Sequence, residues 1–388
     1  MSMTVCLMNV GFGGNKGAEA MLVTMLQQLH QRFPGIRLAI ERPAREHPGY
    51  YRERITELRE AGMNLCWIDF HPAWRMASPL KAYSDEQGAQ VSPDAVIDLG
   101  GLNFQDRSQR GSLRTVIRHL PFVSRGIPLF FFTQDMGPME YWFTRFCARL
   151  LLRRARRIFT RSARTHELLA RGVPLRNLPL AGPFADSTFA LQSHVASAPT
   201  HTDNLPLLVI SPSQVVERLN PQSYRLLLEM LLKELIPHYR VLLLAHTFAP
   251  GDTKDDADLC RELHRDFPTC LLGDENLPVE ILKGRIGAAR LVVSSRFHVL
   301  VAALGQGVPV VALGWNPKYG SLLGSFGIEF ANVTDTAPEQ CGKIVELLGT
   351  LDAPNIRATV ARHAERARTE AMASFDMLEQ ELRSIHVR

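Results

Sequence analysis

Short apolar runs alternate with amphipathic helical stretches along almost the whole chain, and this alternation constrains the fold most. Thr4–Asn9 reads as a strand. Ala18–Gln31 follows as a helix with Met21, Leu22, Met25, Leu26 and Leu29 on one face. The pattern repeats through strands at Ala95–Leu99, Pro128–Thr133 and Ile158–Thr160, each separated from the next by a helical stretch. Strand–helix–strand alternation is the signature of parallel sheets covered by crossover helices. The pattern breaks once, at Ser193–Pro206, where Ser, Thr, His, Ala and Pro crowd together without periodicity. It restarts at Leu207 and runs to a final helix over Ala353–Leu382. The expected organisation is α/β, with one domain over 1–192, a linker over 193–206 and a second domain over 207–388. The two parallel sheets are expected to face a cleft. Ligands of such sheets bind beyond the carboxyl ends of strands, where the βα loops gather.

The chain has 388 residues, more than one ordinary core needs. Hydrophobic residues make up 46% and charged ones 21%, a globular balance. No apolar run reaches the ~20 residues of a membrane span. The N-terminal residues lack the basic start of a secretion signal and read as the first strand. Six cysteines stand singly with no C-x-x-C pair. Neither a metal site nor a redox motif is expected, and reduced thiols in the cytoplasm are. The net charge of +5 favours anionic partners. Eight arginines fall within Arg145–Arg164, interleaved with Leu150, Leu151, Leu152 and Ile158. A basic helix over 145–158 is expected, either solvated or in peripheral contact with the inner face of the membrane. Nothing supports nucleic-acid binding.

Four loops carry polar chemistry. The first, after the first strand, is Gly11-Phe12-Gly13-Gly14-Asn15-Lys16-Gly17-Ala18-Glu19. Its glycines admit a ligand to the backbone, and the helix that follows offers free N–H groups to an anion. Asn15, Lys16 and Glu19 are its candidate binding residues. In the second, Gly100 and Gly101 precede Asn103 and Asp106, an amide for sugar hydroxyls and a candidate base. The third, Gln134-Asp135-Met136-Gly137-Pro138, supplies Gln134 as a further contact and Asp135 as a second candidate base. Each of these three also reads as an ordinary turn. The fourth is the sharpest: Ser294-Ser295-Arg296-Phe297-His298 joins a strand to a helix. Arg296 suits bidentate carboxylate or phosphate binding. His298 titrates near neutrality and can hold phosphate or pass a proton. Lys318, after the next strand, is expected to border the same site.

In this order, the loops resemble the motifs of the polysaccharide pyruvyltransferase family. The matching stretches are Asn15–Ala20, Gly100-Gly101, Gln134–Pro138, Arg161–Leu169, Ala185–Phe189, Arg296-Phe297-His298, and Gly307–Val310 with Lys318. Three positions depart from the family pattern. Ala18 replaces an Asp, Leu102 the third of three glycines, and Ser162 an acid. The Arg-x-His element is intact.

The resemblance implies two Rossmann-like domains of the kind found in GT-B glycosyltransferases, with the N-terminal one binding acceptor and the C-terminal one donor. The donor would be phosphoenolpyruvate, held by Arg296 and His298. The acceptor would be a sugar of a cell-surface polysaccharide or its precursor, with or without a lipid carrier. The product would be a pyruvate ketal, formed without a cofactor or metal. Two alternatives stand beside it. One is a nucleotide-sugar glycosyltransferase, for which Glu275 or Glu280 would have to hold a ribose. The other is a catalytically degenerate scaffold, which the three departures motivate.

Overall fold

The computed structural model describes residues 3–12, 14–41, 49–70, 83–171, 177–193, 205–249, 255–314, 316 and 318–385. Most of the expected linker (194–204), together with Gly13, Trp315 and Pro317, lies outside the described residues. The chain forms two compact units. Unit 1 comprises Met1–Phe12, Met21–Ser187 and Glu370–Arg388, and unit 2 comprises Gly13–Ala20 and Thr188–Thr369.

Unit 1 begins with β1 (Thr4–Met8), α1 (Lys16–Arg32, its first residues belonging to unit 2), β2 (Arg37–Glu41), α2 (Tyr50–Glu60) and β3 (Asn64–Phe70). It continues with β4 (Tyr83–Asp85), β5 (Ala95–Asp98), β6 (Leu102–Asn103), α3 (Gln109–Val123) and β7 (Leu129–Met136). Then come α4 (Trp142–Leu152), β8 (Arg157–Thr160), α5 (Ala163–Arg171) and β9 (Leu180–Ala181). The strand order is β4-β3-β2-β1-β5-β7-β8-β9, with β6 paired to β7. All pairs are parallel except β3 with β4, an antiparallel edge. The central strands are buried on both faces, as helix-covered parallel strands are. Thus β5 is apolar up to Asp98, and β7 begins Leu129-Phe130-Phe131-Phe132.

Unit 2 contains β10 (Leu207–Ser211), α6 (Gln214–Leu219), α7 (Pro221–Leu235), β11 (Arg240–Leu244), α8 (Asp256–Asp266), β12 (Leu271–Gly273) and α9 (Val279–Gly287). It continues with β13 (Leu291–Ser294), α10 (Phe297–Leu304), β14 (Val310–Leu313), α11 (Lys318–Ser325), β15 (Asn332–Val333), α12 (Cys341–Leu351) and α13 (Pro354–Ile385). The last residues of α13 belong to unit 1. The strands lie in the order β12-β11-β10-β13-β14-β15, all parallel. This is the doubly wound arrangement, in which strand order reverses beside the first strand. In unit 1 the reversal falls between β1 and β5, and in unit 2 between β10 and β13. Loops at those reversals are where a ligand has room to reach the backbone.

The structure corrects three expectations. The segment Gln134–Met136, read as a loop, is the end of β7. A register shift between Phe131 and Gln134 and a left-handed Thr133 (φ 43°) let the strand resume, and β6 then pairs with Asp135 and Met136. The loop read over Ser294–His298 ends sooner, because α10 starts at Phe297, so His298 sits in the helix's first turn. The basic helix expected over 145–158 stops at Leu152. Beyond it, Arg156 and Arg157 pair with Glu381 of α13. Among the described residues, no helix is long and apolar enough to cross a membrane.

Candidate functional site

Unit 2 gathers its chemistry at the strand reversal. Ser294 ends β13, and its hydroxyl donates to the carbonyl of Ser211 at the end of β10 (3.1 Å). It also accepts the Arg296 backbone N–H (2.9 Å), fixing the turn into α10. Ser295 is pinned from two sides. Tyr224 of α7 shares a 2.7 Å hydrogen bond with its hydroxyl, and Tyr319 of α11 donates to its carbonyl at 2.7 Å. Arg296 therefore leaves a rigid turn. Its guanidinium donates to Asp256, a fully buried carboxylate in the first turn of α8. Burial pushes the Asp256 carboxyl up, against the pull of Arg296 and a hydrogen bond from the Gln214 backbone.

The first loop belongs to this site. Asn15 bridges to Thr247 in antiparallel fashion, and the Lys16 N–H donates to the His246 carbonyl (3.2 Å). Asn15 caps α1, its side chain accepting the Gly17 N–H at 3.0 Å. Lys16 and Glu19 are both fully buried and form an ion pair at 2.7 Å. Gly17 lies against the imidazole of His298, where a Cβ would fall 2.2 Å from Nδ1. Lys318, the first residue of α11, holds its ammonium 4.6 Å from the centre of the Phe297 ring. The Phe297 ring in turn meets His298 edge-on at 5.4 Å.

His246, just past β11, is the residue here that sequence reasoning missed. It is buried, and its pKa is pushed well below 6.5, first by desolvation and then by the positive charges of His298, Arg296 and Lys16. A cavity of about 20 Å³, room for about one water molecule, is lined by Lys16, His246, Lys283, His298 and apolar side chains. The ammonium of Lys283 donates to the carbonyls of Thr188 (3.2 Å) and Leu191 (2.7 Å). Asn15, Lys16, Glu19, Arg296, His298 and Lys318 thus fall in one unit, and Lys16 and His298 line its small pocket.

The remaining candidates, Gly100, Gly101, Asn103, Asp106, Gln134 and Asp135, belong to unit 1. Asp98, fully buried at the end of β5, organises them. It accepts from the Gly100 N–H (2.8 Å), Gln134 Nε2 (2.7 Å), Asn103 Nδ2 (3.2 Å) and Asn9. Nε2 of His119 lies 2.9 Å from it. Gln134, expected to touch a sugar, is buried with its amide spent on Asp98 and Asn103. Asn9 (φ 63°) and Phe104 (φ 50°) join Thr133 in left-handed backbone at this end of the sheet, the kind of strain that collects at binding sites.

Both expected bases are committed to structure. Asp135 receives Nε (2.9 Å) and Nη2 (2.7 Å) of Arg161, and the hydroxyls of Ser162 (2.6 Å) and Thr165 (3.0 Å). Burial alone would raise its pKa, but Arg161 and these hydroxyls hold it below the usual 3.8. Arg161 also binds Asp186 at 2.9 Å. Asp106 caps the turn into α4, accepting the N–H groups of Glu140 (2.6 Å) and Tyr141 (3.2 Å).

Two doubly wound parallel sheets place the protein in the GT-B-like class, and its solved neighbours agree. A UDP-GlcNAc 2-epimerase from Neisseria meningitidis, bound to UDP-GlcNAc, superposes with a TM-score of 0.60 at 12% identity, over 97% of this chain and 99% of that one. UGT73P12 of Glycyrrhiza uralensis, complexed with glycyrrhetinic acid 3-O-monoglucuronide, gives 0.55 at 11% identity, over 100% and 97%. Anabaena Alr3699/HepE, in complex with UDP-glucose, gives 0.52 at 14% identity, over 100% and 98%. At such identities the likeness is one of fold. A search of curated proteins finds no match. The polysaccharide pyruvyl transferase family matches residues 15–317. The chain belongs to that family.

Proposed function

We propose that the protein transfers the pyruvyl group of phosphoenolpyruvate to two hydroxyls of a saccharide, forming a pyruvate ketal and releasing phosphate. The observation that carries this reading is the packing of Gly17 onto His298, which brings the first loop to the Arg-x-His turn. That contact brings Lys16 beside His298, and both lie with Arg296 near enough to His246 to act on its charge. A donor with a phosphate and a carboxylate needs such a set of cations.

In this reading unit 2 takes the donor. Arg296, held by Asp256, offers its guanidinium to one anionic group, and His298 and Lys318 take the other. His298 gives a proton to the methylene carbon, leaving a cation at C2. A sugar hydroxyl adds there, and its proton returns to the imidazole. Loss of phosphate and addition of the second hydroxyl, with loss of its proton, close the ring. One group acting first as acid and then as base replaces Asp106 and Asp135, whose oxygens are engaged elsewhere. Unit 1 supplies the acceptor contacts, through Gly100, Gly101 and Asn103. The acceptor is a polysaccharide sugar or its precursor, with a lipid-linked form among the candidates, and the work is done in the cytoplasm. Of the two carboxylates the nucleotide-sugar reading would use, Glu275 pairs with Arg285 (3.0 Å) and Glu280 is buried.

The test is calorimetric titration of phosphoenolpyruvate into the protein and into His298→Ala and Arg296→Ala variants. Saturable binding lost in both variants supports the reading. Absence of binding to the unaltered protein, with candidate acceptors present, would end it.

A further inference from the structure

We propose that the exposed face of α4 docks on an anionic lipid bilayer. The helix buries Thr144, Cys147, Ala148, Leu151 and Leu152 in unit 1. Its opposite face carries Trp142, Phe146, Arg149 and Arg153, at spacings of four, three and four residues, which form one stripe. Trp142 is 72% exposed and Phe146 55%, and Tyr141, immediately before the helix, is 56% exposed. Three adjacent large aromatics in water form an apolar patch of the kind that marks an interaction site.

The surroundings point to lipid. Neither α4 nor its packing neighbour α3 contains an acidic residue. On α3 the exposed positions include Arg110, Leu113, Arg114 and Leu120, the same mixture of cations and apolar groups. Glu140 is the exposed acid that precedes this surface. Aromatic rings with a polar edge favour the headgroup boundary, and arginines near an anionic surface are drawn to it electrostatically. Helices with this division of faces lie flat in that boundary. The turn is also preset. The Asp106 carboxylate holds the backbone N–H groups of Glu140 and Tyr141, so the aromatics are presented without ordering a loose loop. The arginines that dominate the sequence, Arg156 and Arg157, are not part of this surface, because Glu381 holds them.

The test is flotation of the full chain with vesicles of phosphatidylcholine alone, or of phosphatidylcholine mixed with phosphatidylglycerol. The protein is expected to float with the mixed vesicles and not with the neutral ones. A Trp142→Ser, Phe146→Ser double variant should bind them at least about tenfold more weakly, as loss of two buried rings implies. Arg149→Glu with Arg153→Glu should abolish the preference for the anionic lipid. All these positions are exposed, and an unchanged circular dichroism spectrum and melting temperature show that the variants fold. The proposal fails if the protein floats with neither vesicle, or if flotation survives the double aromatic change. It also fails if the protein dimerises without lipid and the aromatic change abolishes that dimer, which would assign the face to a second copy. None of these readouts depends on pyruvyl transfer.

Discussion

Gly17 and His298 touch so closely that no side chain fits between them: a Cβ on Gly17 would fall 2.2 Å from Nδ1 and 2.8 Å from Cε1 of the imidazole. The ring must turn or the first loop must lift if that carbon is added.

Gly17→Ala is therefore expected to act as a site mutation without being a folding mutation. Gly17 has ordinary helical backbone, so alanine costs nothing there in conformation. Displacing the imidazole by about 1 Å should lower turnover by roughly 100-fold. Steady-state kinetics beside a thermal melt checks this, and a melting temperature that drops with the activity would contradict it.

Asp256 separates charge from orientation at Arg296. Asp256→Asn keeps an oxygen to accept the guanidinium but removes a negative charge next to the proposed anion site. It should leave phosphoenolpyruvate affinity unchanged or raise it. Asp256→Leu removes the acceptor as well and should weaken binding at least about tenfold, since a buried cation is left without its partner. Calorimetry on the pair distinguishes the two effects.

Arg161 is the structural counterpart in unit 1. Its guanidinium, almost entirely buried, ties Asp135 to Asp186 and also donates to the Gly101 carbonyl at 3.0 Å. Arg161→Met should cost about 3–5 kcal/mol in urea unfolding, because two buried carboxylates lose their cation. Arg161→Lys should rescue little of it, since one ammonium cannot replace the fork. The folded pKa of Asp135 lies below its ordinary 3.8. Its share of stability is thus complete above pH 3.8 and is lost as the pH falls through the lower folded value.

His246 acts at a milder pH. Its folded pKa is well below 6.5, so below pH 6.5 the unfolded chain takes up a proton that the folded chain does not. The stability it contributes is complete above that pH and falls by about 1.4 kcal/mol per pH unit as the medium becomes more acid. His246→Gln should flatten the stability profile between pH 6.5 and 5 relative to the unaltered protein. Parallel profiles would show that His246 charges freely in the fold.

The alternating elements were legible because a strand buried on both faces and a helix with one apolar stripe have different periods. The place of Arg296 and His298 at a strand–helix junction was legible because an apolar strand run ends just before them and an apolar helical run follows. The partners of these residues were not. His246 follows β11 and Asp256 opens α8, neither remarkable in sequence, and only the order of β10, β11 and β13 brings them to Arg296. Asp98 looked like the last residue of a strand, although five side chains or amides converge on it. Gln134 and Asp135 were misread as a loop because a polar run after four apolar residues looks like a strand end, and a bulge leaves no periodic trace. The arginine run misled in the same way: its charge pattern is local, whereas Glu381 meets Arg156 across 225 residues of chain.

The composition of the two units matters to anyone who would cut the chain. A fragment beginning at 207 would lack Lys16 and Ala20, which line its own pocket, and Gly17, which packs on His298. A fragment ending at 192 would lack Glu370–Arg388, and so Phe375 against Phe132 and the carboxylate that holds Arg156 and Arg157. Each piece needs a short stretch from the far end of the gene, so a rearranged or split form would have to carry residues 13–20 and 370–388 over to the piece that uses them.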